Sequence, residues 1–155
     1  LMQLFRIAGT QFAAEIGGEG ARLYGGRWNQ IGDPVLYMTE DLSLAILETV
    51  GHANPRRKMK RALLVLNVPD DASVETVTNL PESWNTYPYL SATACLGSQW
   101  IQERRSLLLR VPSAVTSGVA PDLWQYNVLA NPLHPEFSKV LIDRITPWHP
   151  DARLL

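Results

Sequence analysis

The segment Tyr24-Gly25-Gly26-Arg27-Trp28-Asn29 holds the residues best suited to chemistry on a phosphorylated ligand. Two glycines let backbone approach a ligand closely, and an arginine fork can clamp a phosphate with two hydrogen bonds. Trp28 could pack over a base or cover the arginine. The same residues also read as a tight loop with Trp28 anchored in the core and Arg27 in a structural ion pair, and chemistry alone leaves both readings open. Tyr37 lies inside the apolar run Val35-Leu36-Tyr37-Met38-Thr39, where a tyrosine is more often core than catalytic. Glu48 reads as a solvated helix residue or, if it faces a cleft, as a carboxylate that stabilises a developing oxocarbenium ion and holds a ribose hydroxyl.

The common catalytic motifs are missing. Gly18-Glu19-Gly20 is followed by Leu23 where a dinucleotide fingerprint needs glycine. Gly26-Arg27 stands where a P-loop needs lysine and a hydroxyl residue. Ser113, in Val111-Pro112-Ser113-Ala114-Val115, lacks the G-x-S-x-G elbow. His52, His134 and His149 show no metal-ligand spacing and read as structural or surface histidines, so no metal is expected.

These side chains need elements to position them. Leu4–Ile7 reads as an opening strand, and glycines punctuate a loop-like stretch from 8 to 33. Val35–Thr39 is a second strand. A helix runs from Asp41 to about Gly51, capped by Thr39 or Asp41. On that helix Leu42, Leu44, Ile46, Leu47 and Val50 cover most of the circumference, which predicts burial, while Asp41, Glu48 and His52 share one polar stripe. Strands are expected at Arg61–Val68, Val74–Thr78, Leu107–Val111 and Lys139–Ile145, with a helix from Leu90 to about Arg104. The pattern is mixed α+β and strand-rich, with helices laid against a sheet.

The chain has 155 residues, fitting a single domain, and 46% of them are hydrophobic. Leu1 ahead of Met2 reads as an added residue, which puts the domain at 2–155. With 14 basic and 15 acidic residues the net charge is −1, which argues against direct nucleic-acid binding. The short basic cluster Arg56-Arg57-Lys58 with Lys60 and Arg61 reads as a solvated turn before a strand. Cys95 is the single cysteine, so no intrachain disulfide can form. No apolar run approaches the roughly 18 residues that span a bilayer, and no secretory signal pattern opens the chain. A soluble cytoplasmic protein without membrane contact is expected.

Taken in order, the segments resemble the RES domain. The resemblance runs through Phe5-Arg6-Ile7, Gly18-Glu19-Gly20-Ala21, Gly25-Gly26-Arg27-Trp28-Asn29, Val35-Leu36-Tyr37 and Ala45-Ile46-Leu47-Glu48. It continues through Val111-Pro112-Ser113-Ala114, Asn127-Val128-Leu129-Ala130-Asn131-Pro132 and His134-Pro135. It implies a fold similar to the diphtheria-type ADP-ribosyltransferases and the toxin half of a toxin–antitoxin pair. NAD⁺ is then a substrate, with no permanently bound cofactor. The resemblance implies that Arg27 binds the phosphates or the nicotinamide ribose side, Tyr37 stacks on nicotinamide, Glu48 stabilises positive charge on the ribose, and Ser113 orients Glu48 or a ribose hydroxyl. Arg6, Tyr24, Trp28, Asn29 and Asn127 are supporting candidates. The implied partners are an Xre-type helix-turn-helix antitoxin and a second toxin copy within the complex.

Overall fold

The computed structural model describes residues 1–52 and 58–155. Among these, one seven-stranded sheet carries three α-helices and several short 3₁₀ turns. The strands are β1 (Met2–Gly9), β2 (Leu36–Thr39), β3 (Arg61–Val68), β4 (Val74–Thr76), β5 (Leu108–Pro112), β6 (Tyr126–Ala130) and β7 (Leu141–Trp148). The helices are α1 (Glu19–Tyr24), α2 (Leu42–His52) and α3 (Ser91–Glu103). The sheet order is β4-β5-β6-β2-β1-β3-β7. Only β4 and β5 run parallel; the other neighbours are antiparallel.

The sheet is nearly two sheets. β1 pairs with β3 along its whole length but meets β2 only at Phe5↔Thr39. The β4-β5-β6-β2 half therefore diverges from the β1-β3-β7 half, and the gap between them is available for a cleft.

Side-chain alternation sorts the apolar residues onto two faces, because successive residues of a strand point to opposite sides. Leu36 and Met38 join Leu4, Leu64, Leu66, Leu108, Val128 and Ala130 in one core. Val35, Leu109, Val111 and Leu129 join Trp28, Trp84, Trp100 and Ile101 in the other, with Tyr37 packed against it. Burial on both faces explains why these strands read as continuous apolar runs rather than alternating ones.

The structure corrects several expectations. The stretch from 8 to 33 is not loop throughout, since β1 runs on to Gly9 and α1 occupies Glu19–Tyr24. Strand β6 was not expected. The last strand begins at Leu141 rather than Lys139 and continues to Trp148. Helix α2 is not buried all round: Leu44 and Ala45 are buried while Leu42 and Leu47 stay exposed. It packs on β1 and β2 from one side. Of its two candidate caps Asp41 acts, its carboxylate accepting from the Leu44 amide at 3.1 Å. Within the basic cluster Arg56 and Arg57 lie outside the described residues, whereas Lys58 and Lys60 are exposed and Arg61 opens β3. None of the described helices is long and apolar enough to cross a membrane.

Candidate active site

A cleft of about 780 Å³ opens where the two halves of the sheet diverge. Arg6, Arg27, Tyr37, Glu48, His52 and Asn127 are among its lining residues. Its size suits a small-molecule ligand.

The turn that carries Arg27 is built locally. Gly18, at φ 74°, begins α1 and lies so close to Val35 that a Cβ there would come within 2.4 Å of the Val35 nitrogen. Gly25, at φ 71°, ends α1, its amide donating to the Ala21 carbonyl at 2.8 Å. Gly26 and Asn29 then exchange backbone hydrogen bonds across a tight turn. Asn29 is buried and holds the turn together: its amide nitrogen donates to the carbonyls of Ala21, Gln30 and Asp33, and its oxygen accepts from the Tyr37 hydroxyl at 2.7 Å. The Trp28 indole, 2% exposed, packs with Trp84, and Trp84 packs in turn on Trp124. Trp28 thus anchors the turn in the core rather than covering a base.

Arg27 makes no ion pair among the described residues. Its Nη1 donates to the backbone carbonyls of Trp84 and Thr86 at 2.8 and 2.7 Å, and its guanidinium carbon lies 5.6 Å from the Tyr89 ring centre. Arg6, on β1, donates to the Tyr37 carbonyl at 2.9 Å and so ties β1 to β2 beside their single bridge.

Tyr37 offers the cleft a ring rather than a titrating hydroxyl. That hydroxyl donates to Asn29 and accepts from the Trp28 amide at 3.1 Å, and burial pushes its pKa well above the usual tyrosine range.

Glu48 comes from the middle of α2, one side of which faces the cleft. Its Oε1 accepts from the Ser113 hydroxyl at 2.6 Å and from the Asn127 amide at 2.8 Å. Its Oε2 lies 3.6 Å from His52 Nε2, one helical turn on. Burial pushes the Glu48 carboxyl up, but His52, Asn127 and Ser113 outweigh it and hold the group below the usual glutamate range. Glu48 in turn raises the His52 pKa against the smaller opposing effect of burial. The result is an ionised carboxylate with one oxygen fixed by two neutral donors and the other turned towards a histidine.

Asn127 is placed by the sheet, opposite Thr39 of β2 and Val111 of β5. Ser113 follows β5 and is buried, its amide donating to the Gln125 carbonyl at 2.8 Å. The Asn127 oxygen is a buried polar atom without a partner. A carboxylate only accepts, so the amide must turn its nitrogen to Glu48 and leave its oxygen unpaired. An orphaned polar atom costs about 1–3 kcal/mol.

The structure therefore brings Arg6, Arg27, Tyr37, Glu48, Ser113 and Asn127 together around one cleft. It leaves Tyr24 outside, 79% exposed at the end of α1. It places Trp28 and Asn29 as supports of the turn. It adds His52, read from sequence as structural or surface, whose position four residues after Glu48 on the polar stripe was the available signal. It also adds Asn85, Tyr87 and Tyr89, for which the sequence carried no signal.

With this geometry in place, the chain can be compared with known proteins. The RES domain matches residues 3–151. A protein of Sphingobium sp. (strain YBL2) named "Prs ADP-ribosylating toxin" is 36% identical over 153 residues, covering 96% of this chain and 91% of its own. A protein of Photorhabdus laumondii subsp. laumondii named "Toxin Res" is 32% identical over 143 residues, covering 90% of this chain and 88% of its own. A chain from the crystal structure of the M. tuberculosis MbcT–MbcA toxin–antitoxin complex superposes with a TM-score of 0.75 at 17% identity, over 96% of this chain and 84% of that one. The last likeness speaks for the fold alone.

Proposed function

The chain belongs to the RES-domain family, and from that premise we propose that it is a toxin that cleaves NAD⁺ at the nicotinamide–ribose bond. The observation that carries this reading is the Glu48 carboxylate, held by Ser113 and Asn127 in the cleft that Arg27 and Tyr37 also line.

In the proposed reaction the bond from the ribose C1′ to the nicotinamide nitrogen breaks, and its electron pair goes to the ring. The pyridinium thereby becomes neutral nicotinamide, a good leaving group. Positive charge moves to the ribose as an oxocarbenium ion, beside the Glu48 carboxylate. Arg27 supplies fixed positive charge for the diphosphate through its remaining N–H groups, and the Tyr37 ring packs against nicotinamide. A water or phosphate oxygen forms the new bond to C1′, and a proton from water leaves to solvent. The groups are held before substrate arrives, so little reorganisation is needed during the reaction.

The name of the Sphingobium relative favours a second acceptor, a protein side chain that would receive ADP-ribose. The partner we assign is an Xre-type antitoxin acting in the cytoplasm, with two toxin copies in the complex; the fold shared with a chain of a toxin–antitoxin complex supports the antitoxin. An inert binding domain would have Arg27 and Glu48 pointing apart or tied into structural ion pairs, whereas both line one cleft.

Purified protein supplied with NAD⁺ should release nicotinamide, and Glu48→Gln should abolish release while keeping its fold. A rate that rises with inorganic phosphate identifies phosphorolysis, and label transferred to protein identifies ADP-ribosylation. Equal turnover by the parent and Glu48→Gln, or none by either, would overturn the reading.

A further inference from the structure

Beyond the residues that the RES resemblance names, the cleft has a third wall. Asn85, Tyr87 and Tyr89 all line it, while Thr86 and Pro88 between them do not. These residues reach the cleft from a connection of turns and bends between β4 and α3. The segment is fastened at three points. Trp84 is buried between Trp28 and Trp124. Arg27 holds the carbonyls of Trp84 and Thr86. Asn85 donates to the Ser117 hydroxyl at 3.0 Å.

Tyr89 is the more sheltered ring of this wall. It is 39% exposed, whereas Tyr87 is 82% exposed at the rim. The Arg27 guanidinium already sits over its ring, and Arg27 acts electrostatically on Tyr37 as well. A tyrosine face that attracts a guanidinium also attracts a planar pyridinium cation. We infer that residues 85–89 form a substrate-contacting wall, in which Tyr89 offers its ring to the cationic nicotinamide end of the dinucleotide, as a second aromatic surface beside Tyr37. This inference rests on the NAD⁺ reading above.

The test compares NAD⁺ with ADP-ribose, which lacks the cationic ring. Binding of both is measured on Glu48→Gln, which prevents turnover, and on the same protein carrying Tyr89→Leu or Tyr89→Phe. The leucine change should weaken NAD⁺ binding about tenfold and leave ADP-ribose within about twofold, while phenylalanine behaves like the parent. Retained ADP-ribose binding reports an intact cleft; should the leucine variant not fold, Tyr89→Met carries the same comparison. Unchanged NAD⁺ binding, or equal loss of both ligands, would overturn the assignment of Tyr89. A Glu48→Gln parent that binds no NAD⁺ would overturn the underlying reading and this inference with it.

Discussion

The reacting charge in this account rests on one carboxylate, and three side chains decide its state. Ser113 and Asn127 donate to the same oxygen of Glu48 from 65 and 79 residues away in the chain. A hydrogen bond to a charged group is worth about 1.5–3 kcal/mol, so Ser113→Ala, which leaves the Glu48 oxygen held by Asn127 alone, should lower kcat about tenfold to a hundredfold through lost positioning of the carboxylate. Steady-state kinetics checks this, and a change confined to KM would contradict it. His52 contributes electrostatically. Removing it by His52→Ala takes away one of the influences that lower the Glu48 pKa, so the acid limb of the pH–rate profile should move to higher pH. The same pair has a stability window. The lowered Glu48 pKa contributes stability above the ordinary glutamate value, lost as pH falls through the lowered one; the raised His52 pKa contributes below the ordinary histidine value, lost as pH rises through the raised one. The pair's contribution is therefore greatest between about pH 4.3 and 6.5, and pH-dependent unfolding of the parent and His52→Ala should differ most there. Very little of this was legible from single residues. Glu48, Ser113 and Asn127 meet only through the fold, and the resemblance to a family singled them out where residue chemistry left each open.

Among the elements, the turn between α1 and β2 depends on close backbone approaches. Gly97, midway along α3, is such a point: a Cβ there would come 1.7 Å from the Trp28 carbonyl oxygen. Gly97→Ala should destabilise the protein by about 1–3 kcal/mol or more and disturb the Arg27 turn, which chemical unfolding together with NAD⁺ binding would reveal. Normal stability with normal binding would show that α3 does not support the turn. Long apolar elements such as β3 and the helices α2 and α3 were readable because their periodicity or continuity is strong. Strand β6 escaped because Tyr126–Ala130 is short, follows a proline-containing turn and mixes polar with apolar residues. Its identity comes from pairing with β2 and β5 on its two sides, which is non-local information. The exposure of Leu42 and Leu47 carries the same lesson, since a helix wheel reports composition around an axis and not how many sides are covered.

For the molecule as a whole, the sheet's division at a single β1–β2 bridge places the cleft, and Arg6 secures that junction. A ligand bound there touches both halves. NAD⁺ at 100 times its dissociation constant should stabilise Glu48→Gln by about 2.7 kcal/mol. That corresponds to a rise of roughly 5–10 °C in Tm for a domain of this size. No rise under thermal scanning would contradict a cleft that binds the dinucleotide. The mixed α+β class was visible in the run of elements, whereas the strand order was not, because the pairing of β3 with β7 at one edge and of β4 with β5 at the other is set by tertiary packing.

The central claim is NAD⁺ cleavage that depends on Glu48. Total NAD⁺ measured in cells within minutes of inducing this chain, beside cells inducing Glu48→Gln to equal levels, tests it most directly. The account predicts a steep fall with the parent and a steady level with the variant. Growth arrest by the parent at undiminished NAD⁺ would contradict it.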